Sequence, residues 1–169
     1  MTLTRLTIAA VTLAIALLAV TVRAADKWPA WTDAERLVFV KAIAAENSGD
    51  EDDSAAMGHL FVRTWRRVGR LGVDSIIRNY CALWNEYSRY YRRPESVAIR
   101  NATLTEAPQG PDAASWVKKW PRIVAFVDRF AAGKVRDTCP GAMHFGNNSD
   151  APRMRGRKVL CRYKNIFWE

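Results

Sequence analysis

An apolar run that opens on a capping box and closes among acids fixes the first element of this chain. Thr32-Asp33-Ala34-Glu35 has the Thr-x-x-Glu pattern, in which two side chains satisfy free N–H groups at a helix start. The apolar run that follows predicts a helix ending at Ala45-Glu46-Asn47-Ser48-Gly49-Asp50. Phe39, Ile43 and Glu46 are spaced i, i+4 and i+7, so the Glu46 carboxylate shares a side with two large apolar residues. It also falls at the C-terminal helix end, where the macrodipole disfavours negative charge, with Asp50, Glu51, Asp52 and Asp53 just beyond. Apolar surroundings, the dipole and like charges all raise a carboxyl pKa. A Glu that holds its proton near neutral pH is what a general acid requires. The plainer alternative is a solvated Glu at a helix end.

Residues 1–24 read as an export signal. A short basic n-region ends at Arg5, residues 7–22 are apolar and Ala-rich, and Val22-Arg23-Ala24 is an acceptable cleavage site. The run approaches the length of a spanning helix, so a retained anchor is the alternative. Residues 25–169 are expected to form a single domain with enough apolar residues for a core. Arg5 and Arg23 belong to the leader, so the formal +9 of the whole chain falls by two for the remainder. A basic exported protein is suited to anionic cell-envelope polymers, and export argues against nucleic acid as a partner. Three cysteines fit an oxidising compartment. Cys139 and Cys161 flank a hairpin-like segment and are expected to be bonded, which leaves Cys81 as a buried thiol. Neither a Cys-x-x-Cys pair nor a His-rich cluster points to a metal, and no cofactor is expected.

The fold class expected is α+β and mainly helical, with a small C-terminal β-hairpin. A second helix, capped by Ser54 or Asp53 and running to about Val68, carries Met57, Leu60, Phe61, Thr64 and Trp65 at helical spacing. Its preceding acids suit its N-terminal dipole better than they suggest a metal site. Gly69 and Gly72 close it, and a third helix from near Val73 carries Ile76, Ile77, Tyr80 and, if long enough, Trp84. Residues 86–112 read as a long loop punctuated by Pro94, Pro108, Gly110 and Pro111, with Tyr90, Tyr91, Arg92 and Arg93 interleaving rings and charge. A further helix holds Trp116, Trp120, Ile123, Phe126, Val127 and Phe130, with Pro121 either starting a turn or kinking it, and Gly133 as its stop. The pattern then changes. Residues 141–145 and 159–163 look like short strands joined by a polar loop, and the aromatic end Phe167-Trp168 is expected to fold back on the core.

Several of these pieces together resemble a known family. Ala45-Glu46-Asn47-Ser48-Gly49-Asp50, the helix end Trp65-Arg66-Arg67-Val68, and Phe126-Val127-Asp128-Arg129-Phe130-Ala131-Ala132-Gly133-Lys134 leading to Asp137-Thr138-Cys139-Pro140-Gly141-Ala142-Met143-His144-Phe145 resemble the cell-wall hydrolases typified by spore-cortex-lytic enzymes. That family shows Glu-x-x-Gly-Glu after its first helix, an Asn-Arg pair ending the second, and a Gly-Ala turn before an aromatic. Here Asp50 stands at the second Glu, Thr64-Trp65-Arg66 does not reproduce the Asn-Arg pair, and Cys139-Pro140 precedes Gly-Ala. The resemblance implies a lysozyme-like domain and cleavage of peptidoglycan glycan strands, often by lytic transglycosylases with one essential Glu. By position that Glu is Glu46.

Glycoside cleavage needs a proton for the leaving oxygen and stabilisation of an oxocarbenium-like centre. A lytic transglycosylase dispenses with an enzymic nucleophile, because the muramic acid 6-hydroxyl attacks and closes an anhydro ring. Asp50 is the sequence-near candidate for a second catalytic carboxylate, with a solvated loop acid as its plainer reading. Tyr80, Trp84, His144 and Phe145 are candidate cleft residues, since rings cover sugar C–H faces and Tyr and His carry polar tips. His144 is singled out because it follows the Gly-Ala turn of the resemblance; His59 reads as structural. The expected protein is an exported, monomeric, peptidoglycan-cleaving enzyme of the periplasm or envelope. A non-catalytic glycan- or envelope-binding protein and an antibacterial effector on the same fold are the alternatives.

Overall fold

A computed structural model describes residues 28–46, 50–69, 71–147 and 150–169. The expected export signal, residues 1–24, and the Asn47-Ser48-Gly49 link lie outside the described residues. Helix α1 spans Asp33–Glu46. Its capping box forms as read: Thr32 N and Oγ1 both donate to Glu35 Oε2 at 2.9 Å, and Glu35 N donates to Thr32 Oγ1 at 3.2 Å. Val38, Phe39, Val40, Ala42, Ile43 and Ala44 are buried, so the helix is central rather than merely amphipathic.

Helix α2 spans Glu51–Val68, beginning earlier than the sequence suggests. Asp50, not Ser54 or Asp53, is its N-cap, and its carboxylate accepts from Asp53 N at 2.9 Å. A cap must precede the first helical residue and reach the N–H three residues on, and Asp50 alone meets both conditions. Acids fill the first turn of α2 and Arg66 and Arg67 its last, matching the macrodipole at both ends. Gly69 closes it with φ 66°, its N–H donating to the Trp65 carbonyl. In its middle, a Cβ on Gly58 would stand 2.6 Å from the Phe130 ring and 2.7 Å from that of Phe39. Only glycine lets these rings approach α2. Phe39, Phe61 and Phe130 meet edge to face there, with centroids 5.2 Å apart for Phe39–Phe130 and 5.9 Å for Phe39–Phe61.

Helix α3 spans Val73–Tyr80 and gives way to a 3₁₀ turn, Ala82–Trp84, so Trp84 leaves the helical register. The expected loop after it contains a helix. Pro94 sits at the start of α4, Pro94–Asn101, where its missing N–H is not needed. Read as a loop mark, it is instead a helix opener. Helix α5, Ala113–Ala131, runs through Pro121, whose side is exposed, and buries Trp116, Trp120, Ile123, Phe126, Val127 and Phe130. Helices α3 and α5 both pack on α1, and α2 touches each of them.

The C-terminal part is a three-stranded antiparallel sheet rather than a hairpin. Strand β1 is His144–Gly146, a short helix α6 (Ala151–Met154) follows, then β2 (Val159–Arg162) and β3 (Ile166–Trp168). Their order is β1-β3-β2. Phe167 faces Phe145 on one side and Cys161 on the other. The two strands visible in the sequence therefore do not pair with each other; the aromatic end of the chain inserts between them. Ile166, Phe167 and Trp168 are all buried, which is what draws that segment inward. The Cys139–Cys161 disulfide, with Cα atoms 5.9 Å apart and a sequence separation of 22, ties this sheet to the turn leading into β1. Closing such a loop contributes about 3 kcal/mol in the chain-entropy model. Cys81 is free and buried. Among the described residues, no helix is long and apolar enough to cross a membrane.

Candidate active site

Glu46 is the last residue of α1 and is partly exposed. Four segments converge on it. The backbone N–H of Ala82 donates to its carboxylate, Asp53 comes from the first turn of α2, Asp150 from the loop after β1, and Lys164 from the turn before β3. Burial pushes the Glu46 carboxyl up to about 7; the Ala82 bond opposes this, the charges of Asp53 and Asp150 add to it, and Lys164 opposes it. The group therefore exchanges its proton near neutrality, chiefly through burial, and of the acids just beyond α1 it is Asp53 that adds to the effect.

The surroundings keep Glu46 in place. Tyr90 Oη donates to the Ala45 carbonyl at 3.1 Å, which closes one of the unsatisfied acceptors at the end of α1. Cys81 lies beside it, and burial pushes that thiol well up, the Glu46 charge adding to the effect, so it is a neutral apolar neighbour and not a nucleophile. Asp53 is fully buried and accepts from Asn165 N at 2.9 Å and Asn165 Nδ2 at 2.8 Å. These bonds couple the entry of β3 to the start of α2 directly behind Glu46.

Asp150, whose charge acts on Glu46, lines an open cleft of about 360 Å³ with Tyr80, His144 and Phe145; Glu46 itself is not among the residues of its wall. Its carboxylate accepts from Asn147 N at 3.0 Å, and a Cβ on Gly146 would lie 2.5 Å from it. Gly146 is thus what lets Asp150 come close. Tyr80 stacks on Phe145 with centroids 6.3 Å apart at 15°, and His144 stacks on Trp168 at 5.8 Å and 24°. Tyr80 Oη donates to the Met143 carbonyl at 3.4 Å. The His144 imidazole is held below its usual range by burial and then by the charges of Arg157 and Arg67. At neutral pH it is an uncharged ring, able to donate from one nitrogen and accept at the other.

The structure thus gathers Tyr80, His144, Phe145 and Asp150 on one cleft, whose wall does not include Glu46. Trp84 stands apart from His144. It lines a second cavity with Arg78 and Tyr91, because the 3₁₀ turn carries it off the face that Tyr80 occupies. Asp50 is exposed and engaged as the α2 cap, so its carboxylate is committed to backbone rather than directed at Glu46. His59 is structural, its ring packed on Trp28 and Phe130 and its Nε2 2.9 Å from the Val135 carbonyl.

The sequence reading names Asp53 only as one of the acids beyond α1 or as a cap, and its full burial sets it apart from the others. Asp150 escapes that reading among the loop acids, and so does Arg63. Its Nε donates to the Ala142 carbonyl at 2.9 Å, its Nη2 reaches the Cys139 carbonyl at 3.3 Å, and its Nη1 pairs with Asp137. Arg63 therefore fixes the turn that delivers His144 to the cleft. Among the described residues no group of three or more His, Cys, Asp or Glu is placed to hold a metal ion. No protein-family model, no curated protein and no solved structure matches this chain.

Proposed function

We propose that this protein is an exported enzyme of the periplasm or cell envelope that cleaves the glycan strand of peptidoglycan, with Glu46 as general acid and then general base. The observation that carries the reading is the Glu46 carboxyl, pushed up to about 7 at the end of a helix and within the electrostatic reach of Asp150, a residue of the aromatic cleft. Near neutral pH such a group holds a proton it can give to a departing glycosidic oxygen, and its conjugate base can take one back. Tyr80 and Phe145 offer ring faces to sugar C–H surfaces, while neutral His144 supplies hydrogen bonds to hydroxyl or acetamido groups.

A single proton-exchanging carboxyl favours the intramolecular route. Glu46 protonates the leaving oxygen as positive charge builds on the muramic acid ring, and the nearby anionic Asp150 stabilises that charge. Glu46, now a carboxylate, accepts the proton of the 6-hydroxyl as that oxygen closes on the anomeric carbon. One bond breaks, one forms, and the carboxyl is restored. Asp50 has no part in this scheme. The excess of positive charge on the chain and the exposed Arg92, Arg93, Arg153 and Arg155 support attachment to anionic envelope polymers.

Digestion of purified sacculi, with products read by mass spectrometry, tests the proposal. The expected products are muropeptides ending in anhydro-muramic acid. Reducing-end products would replace the intramolecular step with attack by water, and intact sacculi would overturn the enzymatic reading.

A further inference from the structure

Lys41, Arg78 and Arg100 come from α1, α3 and α4 and meet on one cavity of about 630 Å³, within the range of small-ligand sites. The rings of Trp84 and Tyr91 share its wall, and Leu37 and Val38 add apolar surface. Three cations stand against one acid there, the exposed Glu86. Apart from the Arg78–Asp74 contact, their hydrogen bonds go to carbonyls. Lys41 Nζ donates to the Arg100 carbonyl at 2.5 Å, and Arg100 Nη1 donates to the carbonyls of Leu83 and Tyr91 at 3.2 and 2.7 Å. Carbonyls satisfy donors without cancelling charge. Arg78 lies 5.3 Å from the Trp84 ring centre, with Asp74 4.0 Å from its Nε. The Lys41 ammonium is held below its usual range chiefly by burial, and the charge of Arg78 adds to the effect. Such a cluster is complementary to an anion, and guanidinium forks hold carboxylates in pairs.

Location narrows the anion. Asn79 borders this cavity and also the cleft of Tyr80, His144 and Asp150. A sugar in the cleft would place a branch of its own chain beside the cations. We infer that the Lys41–Arg78–Arg100 cavity binds the free carboxylates of the peptide stem carried by peptidoglycan. Stem peptides are short and carry free carboxylates beside small alanyl methyl groups, which suits cations set among Leu37, Val38 and two rings. The inference takes its substrate class from the proposed function, while the binding itself is independent of Glu46.

Isothermal titration of the full protein tests it, using a free stem tetrapeptide, the same peptide with its carboxylates amidated, and inorganic phosphate, with sacculus digestion run alongside. The wild type should bind the free peptide and not the amidated one. Lys41→Gln and Arg78→Gln should each weaken binding about tenfold, the loss expected for one charge-assisted hydrogen bond. Arg78 is exposed, so its variant reports even where Lys41→Gln folds poorly. Equal binding of the amidated peptide, unchanged affinity in Arg78→Gln, or phosphate that displaces the peptide at matching concentration would each overturn the assignment. Sacculi digested by a protein that ignores the peptide would remove this inference and leave Glu46 standing; peptide bound by a protein that leaves sacculi intact would do the reverse.

Discussion

Glu46 and Asp50 are four residues apart in one acidic stretch, yet they close and open two different helices and behave as different chemical groups. Asp50 precedes α2, where the free N–H groups and the positive dipole end welcome an anion, and its carboxylate caps Asp53 N. Glu46 ends α1, where the dipole is negative, and burial beside Asp53 and Asp150 holds its proton to about pH 7. A carboxylate at a helix start stabilises the fold. One at a helix end, half out of water, is a cost that the fold carries and that chemistry can use.

The largest way to break this contrast is Glu46→Gln, which keeps shape and the Ala82 hydrogen bond but has no transferable proton. Sacculus cleavage should fall about 10²–10⁴-fold, the usual share of a general acid–base group, whereas Asp50→Asn should stay within a few-fold of wild type. Comparable losses in the two variants would make Asp50 a second catalytic carboxylate.

Asp53 tests whether the acid behind Glu46 belongs to the structural or the chemical side. Asp53→Ala strips both hydrogen bonds from Asn165 and should cost about 3 kcal/mol in denaturant titration, since each buried donor left unpaired costs about 1–3 kcal/mol. It also removes a charge that raises the Glu46 carboxyl, so the alkaline fall in any remaining activity should move to lower pH.

Stability against pH separates the two helix ends in another way. The folded protein keeps the Glu46 proton up to about 7, against an ordinary 4.5, so the folded state binds more protons than the unfolded state between those values. Stability from this group is intact below about 4.5 and lost as pH rises through 7. Glu46→Gln escapes that loss. Its stability relative to wild type should climb by up to about 3 kcal/mol from pH 4.5 to pH 8, as melting curves at several pH values would reveal. A difference that does not change with pH would mean that Glu46 titrates like an ordinary exposed carboxylate. The smallest effect belongs to Asp50→Ala, which should cost about 1 kcal/mol through the lost cap and spare the pH dependence.

What the sequence discloses here is local, and what it hides is pairing across distance. The capping box of α1 and the glycine stop of α2 depend on residues a turn apart, and both appear in the structure, whereas the Glu46 environment is completed by Ala82, Asp150 and Lys164 from distant segments. Pro94 misleads because proline marks both loops and first helical turns, and only the buried Ser96, Ala98 and Ile99 beyond it decide for a helix. The hairpin expectation fails for a different reason. Nothing near residues 141–145 or 159–163 signals that Phe167 will come between them. Trp84 parts from His144 because a single 3₁₀ turn changes the direction of its side chain. Asp53 and Asp150 are legible only once the fold shows which of many acids are beside Glu46.

Strand β3 follows both of its partners in the chain and lies between them. Neither ladder of the sheet can close until residues 166–168 have been made, and Asn165, one residue earlier, is what holds the Asp53 carboxylate beside Glu46. Synthesis order therefore sets assembly order. The helices can gather as they emerge, but the surroundings of the reactive carboxyl are complete only once β3 has been placed between two strands that precede it in the chain, a long-range pairing.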